Sequence, residues 1–196
     1  MEIIQELEPH DPSLEIPWVS PNNARLRFID LKKFPKRVED LEECRKYAPL
    51  AGLLRQVNAA GSGLRTAKCD VWSTTKLAQD ERLDFDTHYK FGIYVDLVFD
   101  RNRLNSHLDS HLRLGKKLEK SLSRCRVRAQ MEIAARRCLF HPREQQGYYL
   151  TIFVHAYGAT RAQAKKECDR AIDSLGDALS KIGPSFRPKS SKGSKP

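Results

Sequence analysis

Basic side chains at helical spacing are the strongest chemical signal in the chain. Arg113, Lys116, Lys117, Lys120 and Arg124 recur at steps of one to four, which gathers them along one side of a helix. Arg126 and Arg128 follow at alternate positions, as on one face of a strand. Between Leu112 and Arg143 stand ten Lys or Arg against two Glu, a surplus of about eight positive charges. Such a ridge does electrostatics rather than bond-making. It suits the phosphates of a polyanion, whose neutralisation releases counterions. Aromatic rings carry the second signal. Trp72, Tyr94 and Tyr149 fall on the polar side of alternating stretches, with Lys68, Lys90, Phe153, His155 and Tyr157 at the same parity. Single-stranded nucleic acid is held in this way on an open sheet face, where bases stack on rings and phosphates pair with cations. The competing use for those rings is burial under the N-terminal arm, the first helix or a second copy of the chain.

Bond-making chemistry has weaker support. Asp70, Asp96, Glu132 and His155 share the parity of the aromatic face, and carboxylates on adjacent strands can hold Mg²⁺ for phosphoryl transfer. Their spacing matches no motif, and solvated partners for neighbouring Arg and Lys is the plainer reading. His107 and His111 stand four apart, a spacing that binds metal only with further ligands. His111 falls on an apolar stripe and reads as a core histidine. No phosphate-binding glycine loop, nucleophile elbow, zincin or dinucleotide motif is present. No catalytic residue, metal ligand or cofactor is therefore expected. The string Lys90–Val95 has a passing likeness to the RNP1 strand of RNA-recognition motifs. It lacks the glycine after the basic residue, and Phe91 shares parity with Val95, Leu97 and Phe99, so no family is assigned.

The elements that must position these groups follow from periodicity. Strands are expected over Leu64–Thr75, Tyr89–Phe99, Arg126–Ala135 and Tyr148–Tyr157, with a first short one at Ala24–Leu31. Helices are expected over Arg37–Asn58, either kinked at Pro49 or divided in two with Pro49 in the first turn of the second, and from Asp100 or Asn102 to Arg124. A third starts at the Thr160–Gln163 capping box and stops at Gly183–Pro184. Residues Lys76–Thr87 are polar and acid-rich and read as a loop. Hairpins joined by a crossover helix make an α+β two-layer sandwich. Its mostly antiparallel sheet has four to five strands with helices on one face, of the ferredoxin-like or split βαβ type.

Composition frames the rest. The 196 residues carry a formal charge of +10 and are 40% hydrophobic, enough for one soluble domain without staples. Five cysteines without a Cys-x-x-Cys pair read as reduced core residues of a cytoplasmic protein. No apolar run reaches about 18 residues, and the acidic start lacks the basic and apolar parts of a secretory signal. Residues 1–23 read as an acidic, Pro-rich arm, 24–184 as one domain and 185–196 as a basic disordered tail. The arm carries five acids and no base up to Pro17, and as a flexible segment would compete with polyanions for the ridge. The function expected is non-catalytic binding of a polyanion, RNA or single-stranded DNA. The alternatives are an assembly protein, meeting an acidic protein or forming a homodimer, and a metal-dependent phosphate enzyme.

Overall fold

Alternation makes the strands. Phe91, Ile93, Val95, Leu97 and Phe99 take one side of β6 (Tyr89–Phe99), and all are buried. β8 (Gln145–Gly158) turns Leu150, Ile152, Val154 and Ala156 to the same core, and β7 (Ala129–Phe140) turns Ala129, Met131, Ile133 and Ala135. β5 (Leu64–Thr74) contributes Leu64, shifts register between Thr66 and Lys68, and then packs Cys69 and Val71 against that core. The structure is a computed structural model, and it describes residues 2–8, 14–85 and 87–187.

With Glu2–Glu8 as β1, the strands run in the order β1-β7-β8-β6-β5. β5, β6, β8 and β7 pair antiparallel in turn. β1 (Glu2–Glu8) and β2 (Leu14–Ile16) both pair parallel with β7, β2 lying off the main path as a sixth strand. The sheet is mixed and curled: β5, β6, β8 and β7 are antiparallel as expected, and β1 and β2 add parallel pairings not expected from the sequence. The body runs strand–strand–helix–strand–strand–helix, and β8 lies between β6 and β7, the two strands that the helix Leu108–Leu122 connects. That is a split crossover, but the element order differs from the strand–helix–strand–strand–helix–strand order of ferredoxin-like folds.

Helices α2 (Ala48–Val57), α5 (Leu108–Leu122) and α6 (Arg161–Ile182) pack on the core side. On α5, Leu114, Leu118 and Leu122 are buried at four-residue steps. Each contributes roughly 2 kcal/mol on leaving water. That outweighs the few tenths lost for each like-charged pair on the opposite, basic side. The apolar stripe thus holds the ridge in helical register.

Local features add detail that periodicity alone does not carry. The central helix breaks after α4 (Asn102–Asn105), because the Asn105 side chain turns inward. Its Oδ1 accepts from the Phe99 N–H at 2.7 Å and its Nδ2 donates to the Phe99 carbonyl at 2.9 Å. Residues 35–58 begin with a 3-10 turn (Pro35–Asp40) and continue as α1 (Glu42–Lys46) and α2, the division in two, with Pro49 in the first turn of α2, being the expected one. The acid-rich loop contains a helix, α3 (Gln79–Phe85). Residues 2–8 are a sheet strand and not a free competitor, and β3 (Val19–Ser20) pairs with β4 (Asn23–Arg27) in a small separate sheet. Of the expected tail, Ser185 and Phe186 belong to a closing turn with Phe186 buried against Phe99, and 188–196 lie outside the described residues.

Candidate nucleic-acid interface

The sheet face away from the helices is assembled row by row. Asp70, Tyr94, Phe153 and Glu132 lie opposite one another on β5, β6, β8 and β7. Trp72, Gly92, His155 and Gln130 form the next row. Rings therefore touch across strands: Trp72–His155 at 5.7 Å, Trp72–Tyr94 at 6.3 Å, Tyr94–Phe153 at 5.7 Å and Phe153–His155 at 5.9 Å between centroids. All four are half-buried. The row needs glycine at 92, since a Cβ there would stand 2.5 Å from the indole Cε2 of Trp72. Two cations edge the cluster. The Lys68 ammonium lies 6.0 Å from the Tyr94 ring, and the Arg136 guanidinium 5.4 Å from Phe153. Burial, and then the charge of Lys90, push the His155 imidazole down to about 4, so it is neutral at pH 7 and acts as a ring.

Both ends of this face are covered. At one end Ile16 packs with Ala67, Val98, Cys138 and Tyr149, and the Trp18 indole N–H donates to the Ala67 carbonyl at 2.8 Å. Tyr149 is only 5% exposed beneath that arm, which corrects its assignment as a stacking ring. At the other end α3 lies over β8, with Phe85 stacked on Tyr157. Between the covers, Trp72 and Tyr94 keep the place expected of them. Phe153 and His155 belong with them, and their parity was the available signal.

The basic ridge sits in the other layer. Arg113, Lys116, Lys117, Lys120 and Arg124 are exposed, and the first four line a shallow depression with Asp109 and Leu112. Lys117 donates to Ser185 Oγ at 2.9 Å, and Lys117 and Arg113 lie over the Phe186 ring at 5.1 and 5.8 Å. The core thus separates the ridge from the aromatic face. What joins them is the corner after α5. Arg126 is exposed there, its carbonyl taken by the Arg170 guanidinium at 3.2 Å. Next comes Arg128, whose backbone N–H donates to Glu167 at 3.0 Å and whose guanidinium donates to the Phe85 carbonyl beside Tyr157.

The carboxylates do not converge. Asp70 and Glu132 share a row but stand three strands apart, about 14 Å at ordinary strand spacing. Asp96 is buried and accepts from Thr151 Oγ1 at 2.7 Å. Among the described residues no group of three His, Cys, Asp or Glu could hold a metal. His111 is fully buried as expected of a core histidine, its Nδ1 3.2 Å from the His107 carbonyl and its ring edge-on to Phe99. Phe91 is likewise in the core.

The fold and site together define an α+β protein with a mixed, curled sheet, α2, α5 and α6 on one face and a partly covered aromatic face on the other. Among the described residues no helix is long and apolar enough to cross a membrane. No family model, curated protein or solved structure matches the chain.

Proposed function

We propose that the chain is a non-catalytic binding protein for single-stranded nucleic acid, RNA or DNA. The observation that carries this reading is the cluster of touching rings Trp72, Tyr94, Phe153 and His155, half-exposed on the face opposite α2, α5 and α6. Rings in that setting stack bases without regard to sequence. The ridge of α5, leading through Arg126 and Arg128 toward the same face, supplies the phosphate contacts. Five free cysteines suit a reducing compartment, the cytoplasm.

The test is anisotropy of labelled twelve-nucleotide strands of uridine and of thymidine at low salt. Base–ring stacking is worth about 1–3 kcal/mol for each base, so Trp72→Ala and Tyr94→Ala should each weaken binding roughly 5- to 150-fold while staying folded. Wild-type protein that binds neither strand, or variants that bind as well as wild type, would refute the reading.

A protein-binding role is the second reading. Val19, Leu26 and Phe34 are 57, 47 and 55% exposed on the N-terminal hairpin and just after it. Exposed apolar groups gathered in one region mark an interface, either with an acidic protein or in a homodimer. Sedimentation equilibrium separates these cases, since a concentration-dependent dimer abolished by Val19→Ser or Leu26→Ser supports self-association.

A further inference from the structure

The connection between β5 and β6 is longer than a hairpin requires. Two to five residues suffice as a rule, and here residues 75–88 are used. They carry α3, a helix of seven residues that is too short to persist on propensity alone. Its hold is tertiary and chemically particular. The Phe85 ring lies parallel on Tyr157, with centroids 3.9 Å apart and planes 11° apart. Buried aromatic pairs prefer offset or edge-to-face packing. Close parallel stacking is the arrangement a base adopts on a protein ring. Beside it, Glu81 Oε1 accepts from the Lys90 ammonium at 2.5 Å and from the Tyr157 hydroxyl at 2.9 Å. The Arg128 guanidinium donates to the Phe85 carbonyl. Residues 79–85 hold three acids and one Arg, so an acidic segment lies on a basic and aromatic surface.

We propose that α3 covers a second nucleotide subsite, in which Tyr157 stacks a base and Lys90 and Arg128 take its phosphate, with Phe85 and Glu81 occupying those positions in the absence of nucleic acid. The proposal rests on the nucleic-acid reading above. It extends the binding track past the four half-exposed rings, to the corner where Arg126 and Arg128 lead round from α5. It also places competition in α3, where the charge pattern had placed it in residues 1–17. Each group that α3 holds has a counterpart in a nucleotide: a ring for Tyr157, an anionic oxygen for Lys90 and an acceptor for Arg128.

An internal competitor lowers apparent affinity by the fraction of molecules in which it is displaced. Weakening it should tighten binding. The Glu81→Gln/Phe85→Ala double variant should bind the twelve-nucleotide uridine strand several-fold more tightly than wild type. A readout without substitution runs beside it. Arg82 is exposed on α3, and limited trypsin digestion followed by mass analysis reads cleavage after it. Adding the strand to wild-type protein should speed that cleavage, because α3 is displaced. If the double variant binds no tighter and the strand leaves Arg82 cleavage unchanged or slower, while Trp72→Ala still loses affinity, the subsite is wrong and the nucleic-acid reading stands. If wild type binds no strand at all, both fall. Should the double variant fail to fold, the wild-type digestion decides alone.

Discussion

His111 offers a quantitative test of how the helix layer is built. The ring is fully buried between α5 and the sheet, and its Nε2 has no hydrogen-bond partner. Burial lowers its pKa to about 4 from an ordinary 6.5, the His107 and Tyr148 backbone offsetting part of the effect. The unfolded chain therefore takes up a proton near pH 6.5, and the folded chain only near pH 4. Stability from this group is complete above about pH 7, falls as pH drops through 6.5, and levels off below 4. At about 1.4 kcal/mol for each pH unit of that interval, the loss amounts to roughly 3 kcal/mol. His111→Leu removes it. At pH 7 the variant loses a hydrogen bond to the His107 carbonyl worth about 1 kcal/mol, and gains by removing an unpartnered buried nitrogen. Its stability there should lie within about 1 kcal/mol of wild type. Urea unfolding from pH 7 to pH 4 should then show the variant overtaking wild type, the gap widening to about 3 kcal/mol. His155 is pushed the same way by burial and by Lys90, but it is present in both proteins and drops out of the difference. Parallel curves for the two proteins would refute the burial argument. A large loss at pH 7 that added metal restores would make His111 a ligand instead.

Two further outcomes follow from particular side chains. Gly92→Ala sets a methyl group 2.5 Å from the Trp72 indole, so urea unfolding should report a loss of about 1–3 kcal/mol that shrinks to a few tenths in a Trp72→Ala background. On the ridge, Lys116 and Lys120 are the cations to remove, because Lys117 is engaged with Ser185 and Phe186. Lys116→Gln/Lys120→Gln should leave the urea midpoint unchanged, since exposed charges contribute little. The same variant should reduce the salt dependence of single-strand binding by up to about 0.7 in slope for each phosphate no longer neutralised. Binding indifferent to both changes would make the ridge a solvated face.

Much of the framework was legible because its signals are local. Strict alternation fixed β6 at Tyr89–Phe99, and the Thr160 cap, which accepts from the Gln163 N–H at 3.2 Å, fixed the start of α6. Parity correctly separated Phe91 in the core from Tyr94 on the opposite face. Parity names a face, however, and not what covers it. Tyr149 and Tyr157 share the parity of Phe153, yet they lie beneath Ile16 and Phe85, segments distant in the chain. β1 was missed for a related reason. Three glutamates among seven residues make a poor strand pattern, and the pairing edge of β7 is far off in sequence. The break between α4 and α5 came from one side chain, Asn105 acting on Phe99, which no periodicity records.

The parallel pairing of Glu2 with Gln130 also orders events in time. During synthesis residues 2–8 emerge long before β7 exists to receive them. β7 and β8 are neighbours in sequence and can zip into a hairpin soon after both are made. The pairing of the N-terminal strand cannot form until β7 has been made, so by chain order alone it is a late contact. Non-local pairings of this kind slow folding. A strand that waits is exposed to the wrong neighbours throughout, and a row of glutamates is a fitting composition for the delay. Like charges keep two such segments on neighbouring ribosomes from pairing with each other. The acidity that resembles a regulatory arm in the sequence belongs, in the fold, to a strand at the edge of the sheet.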